Sequence, residues 1–280
     1  MSTVLETIDG GTRYLEQRGV EDARRNMQLL VARQLGCTRM ELYLQFDRVL
    51  EDAELAPLRE SLKRRGAGIP LQHLLGSVGF HRHEFKIDAR ALIPRPETEE
   101  LAEWILSWDL PPGQRILDMG CGSGVLGLTL AAERPDWDLT LAEVSADALS
   151  LARENAVLLE TGNVCFLESD LLGAVDGLFD GIVANLPYVA EADRSSLSRE
   201  LSHDPALALF GGVDGLDVIR RFIPDAYHHL RPGAWLVLEI GHDQASQVTE
   251  FLHASSFTAI EVKTDLSGIA RFPFARRPDC

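Results

Sequence analysis

The chain has 280 residues, 45% of them hydrophobic and 25% charged, with a net charge of −16 at pH 7. This is an ordinary globular composition, long enough for one large core or two modest ones. No apolar run approaches the ~20 residues that span a bilayer, and the first ten residues lack the basic and apolar stretches of a signal peptide. Cys37, Cys121, Cys165 and Cys280 stand apart with no C-x-x-C pair, which argues against a disulfide framework or a zinc cluster and for a cytoplasmic setting. Residues 1–86 hold 13 Lys/Arg against 12 Asp/Glu, whereas residues 87–280 hold 14 against 31. The larger part, at −17, is a poor binder of phosphate backbones, so no direct nucleic-acid contact is expected.

Residues 1–66 read as a small helical bundle. Met27, Leu30, Val31 and Leu35 recur at helical spacing up to Gly36; Leu42, Leu44, Phe46, Val49 and Leu50 continue the pattern; Leu55, Leu58 and Leu62 form a further helix ended by Gly66 and Gly68. The run Lys63-Arg64-Arg65 suits a helix C-terminus, where the dipole favours cations. Residues 67–98 read as a β-hairpin connector, with Gly76, Gly79, Phe80, Phe85 and Ile87, leading through Ile93-Pro94-Arg95-Pro96-Glu97 to a helix capped by Thr98. His81 and His83 would share one strand face; with no third ligand in sight they are read as solvent-exposed, and no metal is expected.

Residues 99–280 form the third region. Strands are expected at Arg115–Asp118, Leu139–Glu143, Val164–Glu168, Gly181–Asn185, Trp235–Ile240, Thr258–Lys263 and Ile269–Phe274. Helices are expected at Val125–Glu133, Ala146–Leu159, Leu216–Leu230 and Gln244–Ala254. The alternation predicts an α/β fold with a parallel sheet covered on both faces. Only Thr264 and the turn Asp265-Leu266-Ser267-Gly268 separate the last two strands, too few for a parallel crossover, so an antiparallel pair ends the sheet.

Two motifs sit at strand ends, where such sheets bind ligands. Asp118-Met119-Gly120-Cys121-Gly122-Ser123-Gly124 follows the first strand and opens a helix. Gly120, Gly122 and Gly124 permit a tight turn and close approach of a nucleoside cofactor. Asp118 could hold its charged amino-acid portion, Glu143 both ribose hydroxyls, and Asp170 the adenine amine. The same stretch fits the G-x-G-x-x-G dinucleotide fingerprint through Gly122, Gly124 and Gly127. Asp118 ahead of the glycines, the terminal strand pair and a second motif favour S-adenosylmethionine. That second motif is Asn185-Leu186-Pro187-Tyr188. Asn185 offers an amide oxygen; Leu186, extended because it precedes proline, offers its carbonyl; Tyr188 offers a flat wall. Two acceptors beside an aromatic suit a planar –NH2, which points to methyl transfer onto an amide or amino nitrogen.

The chain resembles the protein-(glutamine-N5) methyltransferases of peptide chain release factors, the HemK/PrmC group. The resemblance rests on Gly68-Ile-Pro70-Leu-Gln-His-Leu-Leu-Gly76, Leu92-Ile-Pro-Arg-Pro-Glu-Thr-Glu99, the glycine loop, Asn185-Leu-Pro-Tyr188, Asp204-Pro-Ala-Leu-Ala-Leu209, Gly211-Gly-Val-Asp-Gly-Leu216 and Leu238-Glu-Ile-Gly241. It implies a Rossmann-like class I methyltransferase sheet behind an N-terminal substrate-engaging bundle. It also implies S-adenosyl-L-methionine as methyl donor, S-adenosyl-L-homocysteine as product, and a release factor's Gly-Gly-Gln glutamine as acceptor. Arg95 and Glu97 would line the entry for that loop, with Asn185, Pro187 and Tyr188 against the substrate and no need for a partner subunit. The family usually has Pro where this chain has Leu186, and Glu where it has Asp204. Methylation of another amide, or of an adenine or cytosine amino group in ribosomal protein, rRNA or DNA, is the alternative from the tetrad alone.

Overall fold

The computed structural model describes residues 2–279. The chain divides into two compact units: one takes the residues up to Ser77 with Ser198–His203, the other Val78–Leu197 and everything from Asp204 onward.

In the first unit, strand β1 (Ser2–Thr3) leads into helix α1 (Val4–Glu16), followed by α2 (Ala23–Leu35), strand β2 (Val49–Leu50), α3 (Asp52–Gly66) and α4 (Leu71–Leu75). Thr3 and Glu6 form a reciprocal capping box that satisfies two amides at the start of α1. Gly11 lets α2 approach closely, since a Cβ there would lie 2.3 Å from Met27 Sδ. Val4, Ile8, Met27, Leu30, Val31, Leu42, Leu50, Leu55 and Leu58 make the core. The stretch expected to continue the helices instead forms a 3-10 turn (Glu41–Gln45) and then β2, paired antiparallel with β1. The reason is local. Thr38 and Glu41 exchange hydrogen bonds that fix a short turn, and Leu44 is 88% exposed, so its apolar side chain drives no helical packing. Arg65, at the basic end of α3, is buried, its guanidinium bonded to Asn26 Oδ1 at 2.7 Å and paired with Glu200.

The second unit begins with the hairpin of β3 (Ser77–Phe80) and β4 (His83–Lys86) and continues through α5 (Pro96–Leu106), β5 (Arg115–Met119), α6 (Val125–Glu133), β6 (Asp138–Glu143), α7 (Ala146–Leu158), β7 (Val164–Glu168), β8 (Phe179–Asn185), α8 (Ala206–Leu209), α9 (Asp217–His229), β9 (Leu230–Glu239), α10 (Ala245–Ala254), β10 (Thr258–Thr264) and β11 (Ala270–Arg276). Its seven-stranded sheet has the order β10-β11-β9-β8-β5-β6-β7. β5 to β9 run parallel, and β11 is antiparallel to both β9 and β10, the expected terminal pair. From β5 the chain moves outward to β6 and β7, then returns to the other side at β8. The strand ends of β5 and β8 therefore diverge at the switch point and open a crevice. Close packing fixes this centre: a Cβ on Gly181 of β8 would lie 2.1 Å from the Trp235 ring of β9. Thr98 is not the cap of α5. Arg95 holds that place, Pro96 fills the first turn, and Thr98 lies buried inside the helix, because its hydroxyl is engaged by the sheet beneath. Among the described residues no helix is long and apolar enough to cross a membrane.

Candidate active site

A cavity of about 470 Å³ lies over the carboxyl ends of β5, β6 and β8, within the size range of small-molecule sites. Of the residues singled out in the sequence, Arg95, Asp118, Gly120, Gly122, Glu143, Asp170, Asn185, Leu186 and Pro187 line it. Gly124, Glu97 and Tyr188 are not among the lining residues.

The glycine loop is shaped by its neighbours. Gly120 has φ +72°, and a Cβ on it would sit 3.0 Å from Leu186 Cδ2, so this turn needs glycine on both counts. At Gly122, φ +55°, a Cβ would meet nothing within 4 Å; the space before the loop is open to a ligand. Gly124 serves packing instead, its Cβ position crowded by Leu128 and Ala152. Glu143, at the end of β6, accepts from the Gly122 amide through Oε2 and from the Ser145 amide through Oε1, both at 2.9 Å. Each oxygen keeps further lone-pair capacity for a diol. Asp118 is 1% exposed, and its Oδ2 accepts from the Gly127 amide in the first turn of α6 at 2.8 Å. Burial pushes its pKa up to about 7. Its first task is therefore to hold α6 against β5, with any contact to a charged tail coming second. Asp170 is exposed beside Arg221, 3.1 Å away, at the cavity rim.

Asn155 was not legible as a site residue. It is fully buried on α7, donates to the Ser123 carbonyl at 2.9 Å, and exchanges hydrogen bonds with both backbone groups of Lys86. It thereby ties the glycine loop to β4. A polar residue amid the apolar positions of a helix was its one signal.

The opposite wall is the Asn185 corner. The β8–β9 register sets Asn185 beside Glu239. Thr98, from α5, donates its hydroxyl to Glu239 Oε2 at 2.8 Å and accepts from Asn185 Nδ2 at 3.0 Å. With Nδ2 so engaged, the amide oxygen of Asn185 faces away from Glu239. Glu239 is 1% exposed, and burial pushes its pKa up to about 7 against the opposing pull of the Thr98 and Asn185 hydrogen bonds. Leu186 turns its side chain into the core, against Gly120. The half-buried Tyr188 ring packs on the same core, burial pushes its phenol well up, and its carbonyl accepts from Gln244 at 2.9 Å. Arg95 is held by the buried Asp204, 2.8 Å away, whose other oxygen accepts from the Ile93 amide at 3.3 Å. The shorter Asp204 thus anchors the Ile93–Glu99 segment directly.

The donor set fits a nucleoside with a charged tail: paired carboxylate oxygens for a diol, open space before the loop, and the amide-rich start of α6 for an anion. Residues 6–76 match the family model of the PrmC N-terminal domain, and residues 101–212 that of the methyltransferase small domain. A methyltransferase from Pyrococcus furiosus shares the fold with TM-score 0.53 and 17% identity, over 69% of this chain and 88% of its own. The 16S rRNA N2 guanine methyltransferase of Thermus thermophilus, in complex with AdoMet and guanosine, does so with TM-score 0.52 and 21% identity, over 72% and 49%. Those identities speak for the fold alone. The release factor glutamine methyltransferase of Deinococcus radiodurans is 41% identical over 97% of this chain and 98% of its own. That of Koribacter versatilis is 37% identical over 99% of each. Matched along almost its whole length, the chain belongs to the family of release factor glutamine methyltransferases.

Proposed function

We infer that this protein transfers a methyl group from S-adenosylmethionine to the side-chain amide nitrogen of the glutamine in the Gly-Gly-Gln loop of peptide chain release factors, with Asn185 as the residue that orients the acceptor. The observation that carries the assignment of Asn185 is the chain Asn185–Thr98–Glu239, which fixes which end of the Asn185 amide is offered to a ligand. Glu143 would hold the ribose, the Gly120–Gly122 backbone and the start of α6 the amino-acid tail, and Asp170 the adenine amine. When bound, the cofactor supplies an electrophilic sulfonium methyl.

An amide nitrogen is a poor nucleophile because its lone pair is delocalised into the carbonyl. Asn185 Oδ1 and the Leu186 carbonyl would accept its two hydrogens, fix it in line for attack and favour pyramidalisation. Positioning of this kind contributes roughly 7–11 kcal/mol in favourable cases. The same oxygens stabilise the positive charge that develops on nitrogen. The proton leaves after transfer, so no strong base is required at the nitrogen. Buried Leu186 and half-buried Pro187 would exclude water beside the acceptor, while Arg95 and Glu97 would meet the incoming loop. The helical unit would engage the body of the release factor. The acidic catalytic unit would avoid direct nucleic-acid contact, and the protein would act as a monomer in the cytoplasm.

The test is mass spectrometry of a purified release factor incubated with the protein and S-adenosylmethionine. One added methyl on the Gly-Gly-Gln glutamine, absent with Asn185→Ala, is expected. An unmodified factor in the presence of confirmed cofactor binding would overturn the acceptor and redirect the search to ribosomal proteins or nucleobase amines.

A further inference from the structure

His81, Arg82 and His83 form the tip of the β3–β4 hairpin, and the structure corrects their reading as solvent-exposed. The His81 and His83 side chains are 12% and 23% exposed, and both face Glu133, the last residue of α6, itself 24% exposed. A third ligand, fifty positions on, is therefore present. We propose that His81 Nδ1, His83 Nε2 and a carboxylate oxygen of Glu133 form a zinc site that staples the hairpin to α6, with water in the fourth position.

Three independent features carry this. The first is spacing. The three ligand atoms lie within 4.8 Å of one another, with His83 Nε2 at 2.9 Å and His81 Nδ1 at 3.7 Å from Glu133 Oε1. Those two edges bracket the ~3.4 Å separation of neighbouring ligands around a tetrahedral zinc with bonds of about 2.0–2.1 Å. The second is an unmet demand. His81 Nδ1 is buried and has no hydrogen-bond partner among the described residues, a rare condition for a ring nitrogen unless something else takes it up. The third is field. Glu133 places a carboxylate at the C-terminal end of a helix, where the dipole disfavours negative charge and favours a cation. His81 adopts φ +54°, unusual for a side chain, and its amide is held by Glu99 Oε1 at 2.6 Å, so the turn that aims the ring is anchored in advance. Arg82 is the local competitor. Its guanidinium lies 3.9 Å from Glu133 Oε2, but the side chain is 78% exposed and free to withdraw.

Imidazole and carboxylate donors in this number suit zinc. The role is structural, because Glu133 closes the end of α6 remote from the glycine loop, on the order of 13 Å away at 1.5 Å per residue. The full chain, stripped of metal with a chelator, is titrated with Zn2+ against a competing chromogenic chelator. One ion per chain with a submicromolar Kd is expected, together with a raised Tm and unchanged methyl transfer. His83→Gln and Glu133→Gln should each weaken binding by at least about 100-fold and abolish the gain in Tm. Co2+ bound at the same site should show visible absorption bands that both variants lose. S-adenosylmethionine binding by the variants confirms that they fold. Absence of stoichiometric binding, or equal binding by wild type and both variants, would overturn the site and assign any bound ion to the free cysteines or the surface.

Discussion

On the cofactor side of the cavity, one stretch of chain from Asp118 to Ser145 supplies the loop, the helix start and the carboxylate, and backbone amides hold the parts together. The acceptor corner draws Arg95 and Thr98, Asn185 to Pro187, Asp204 and Glu239 from four separate stretches, and side chains hold it together. The first half is preset by local backbone geometry. The second exists only when the sheet register is right, and its polarity depends on the ionisation of one buried carboxyl. Substitutions should therefore separate the two halves cleanly. Changes in the acceptor corner ought to strike turnover, and changes in the loop ought to strike cofactor affinity.

The largest separation is expected at Asn185. Asn185→Ala should lower the rate of glutamine methylation by about 10³-fold, the scale seen when an oriented transition-state partner is removed. The Kd for S-adenosylmethionine, measured by calorimetry, should change less than about threefold. Equal losses in both would mean that Asn185 belongs to the cofactor side. The reciprocal change is Glu143→Gln. It replaces one acceptor oxygen with a donor that faces the Gly122 or Ser145 amide, so the loop loses its anchor and the ribose its partner. Cofactor affinity should fall by roughly 10–100-fold, the equivalent of one hydrogen bond to a charged group, and the rate at saturating cofactor should be nearly retained.

A pH profile sharpens the comparison, because Glu239 in the acceptor corner titrates within a side-chain hydrogen-bond chain, whereas Asp118 on the cofactor side meets a backbone amide. Ionised Glu239 accepts from Thr98, so Thr98 must accept from Asn185 and the Asn185 oxygen is left for substrate. Protonated Glu239 can donate instead, which lets the chain of bonds reverse. Methyl transfer should therefore fall about tenfold per pH unit once the pH drops below about 7, and Glu239→Gln should lack that limb. Stability runs the other way. The folded-state pKa is raised from an ordinary value of 4.5, so the folded protein binds this proton more tightly than the unfolded chain does. The contribution is full below the ordinary range and is lost as pH rises toward 7. A melting temperature that rises with pH across this window would argue against a buried, neutral Glu239 at low pH.

The same contrast explains what could be read from the residues alone. The strands, the terminal antiparallel pair and the placing of the glycine loop, Glu143 and Asn185 at strand ends were legible because periodicity and motif spacing are local properties. Thr98 and Glu239 were not. Thr98 follows Pro96 in a pattern that also suits a helix cap, and Glu239 stood in an apolar strand whose neighbour only the register identifies. Asp204, read as a change of one methylene, turned out to hold Arg95 and the Ile93 amide. The stretch from Leu42 to Leu50 kept an apolar rhythm but folded as a turn and an edge strand, because local Thr38–Glu41 bonds outweighed it. His81 and His83 lacked a visible partner only because Glu133 reaches them through tertiary packing.

The smallest effect is expected at Leu186, where the residue type departs from the family's usual proline but the group proposed to act does not. If only the backbone carbonyl meets the substrate amide, Leu186→Pro keeps that acceptor and methyl transfer should stay within about threefold of wild type. The side chain is another matter. Leu186 is 3% exposed and its Cδ2 lies beside Gly120, so a smaller, stiffer ring leaves unfilled space beneath the glycine loop. That should cost about 1–2 kcal/mol in denaturant unfolding and loosen cofactor binding slightly, since Gly120 loses its support. A large loss of turnover with cofactor affinity intact would show instead that the leucine side chain shapes the acceptor corner itself. The tidy division between a backbone-built cofactor side and a side-chain-built acceptor side would then fail at the residue where the two meet.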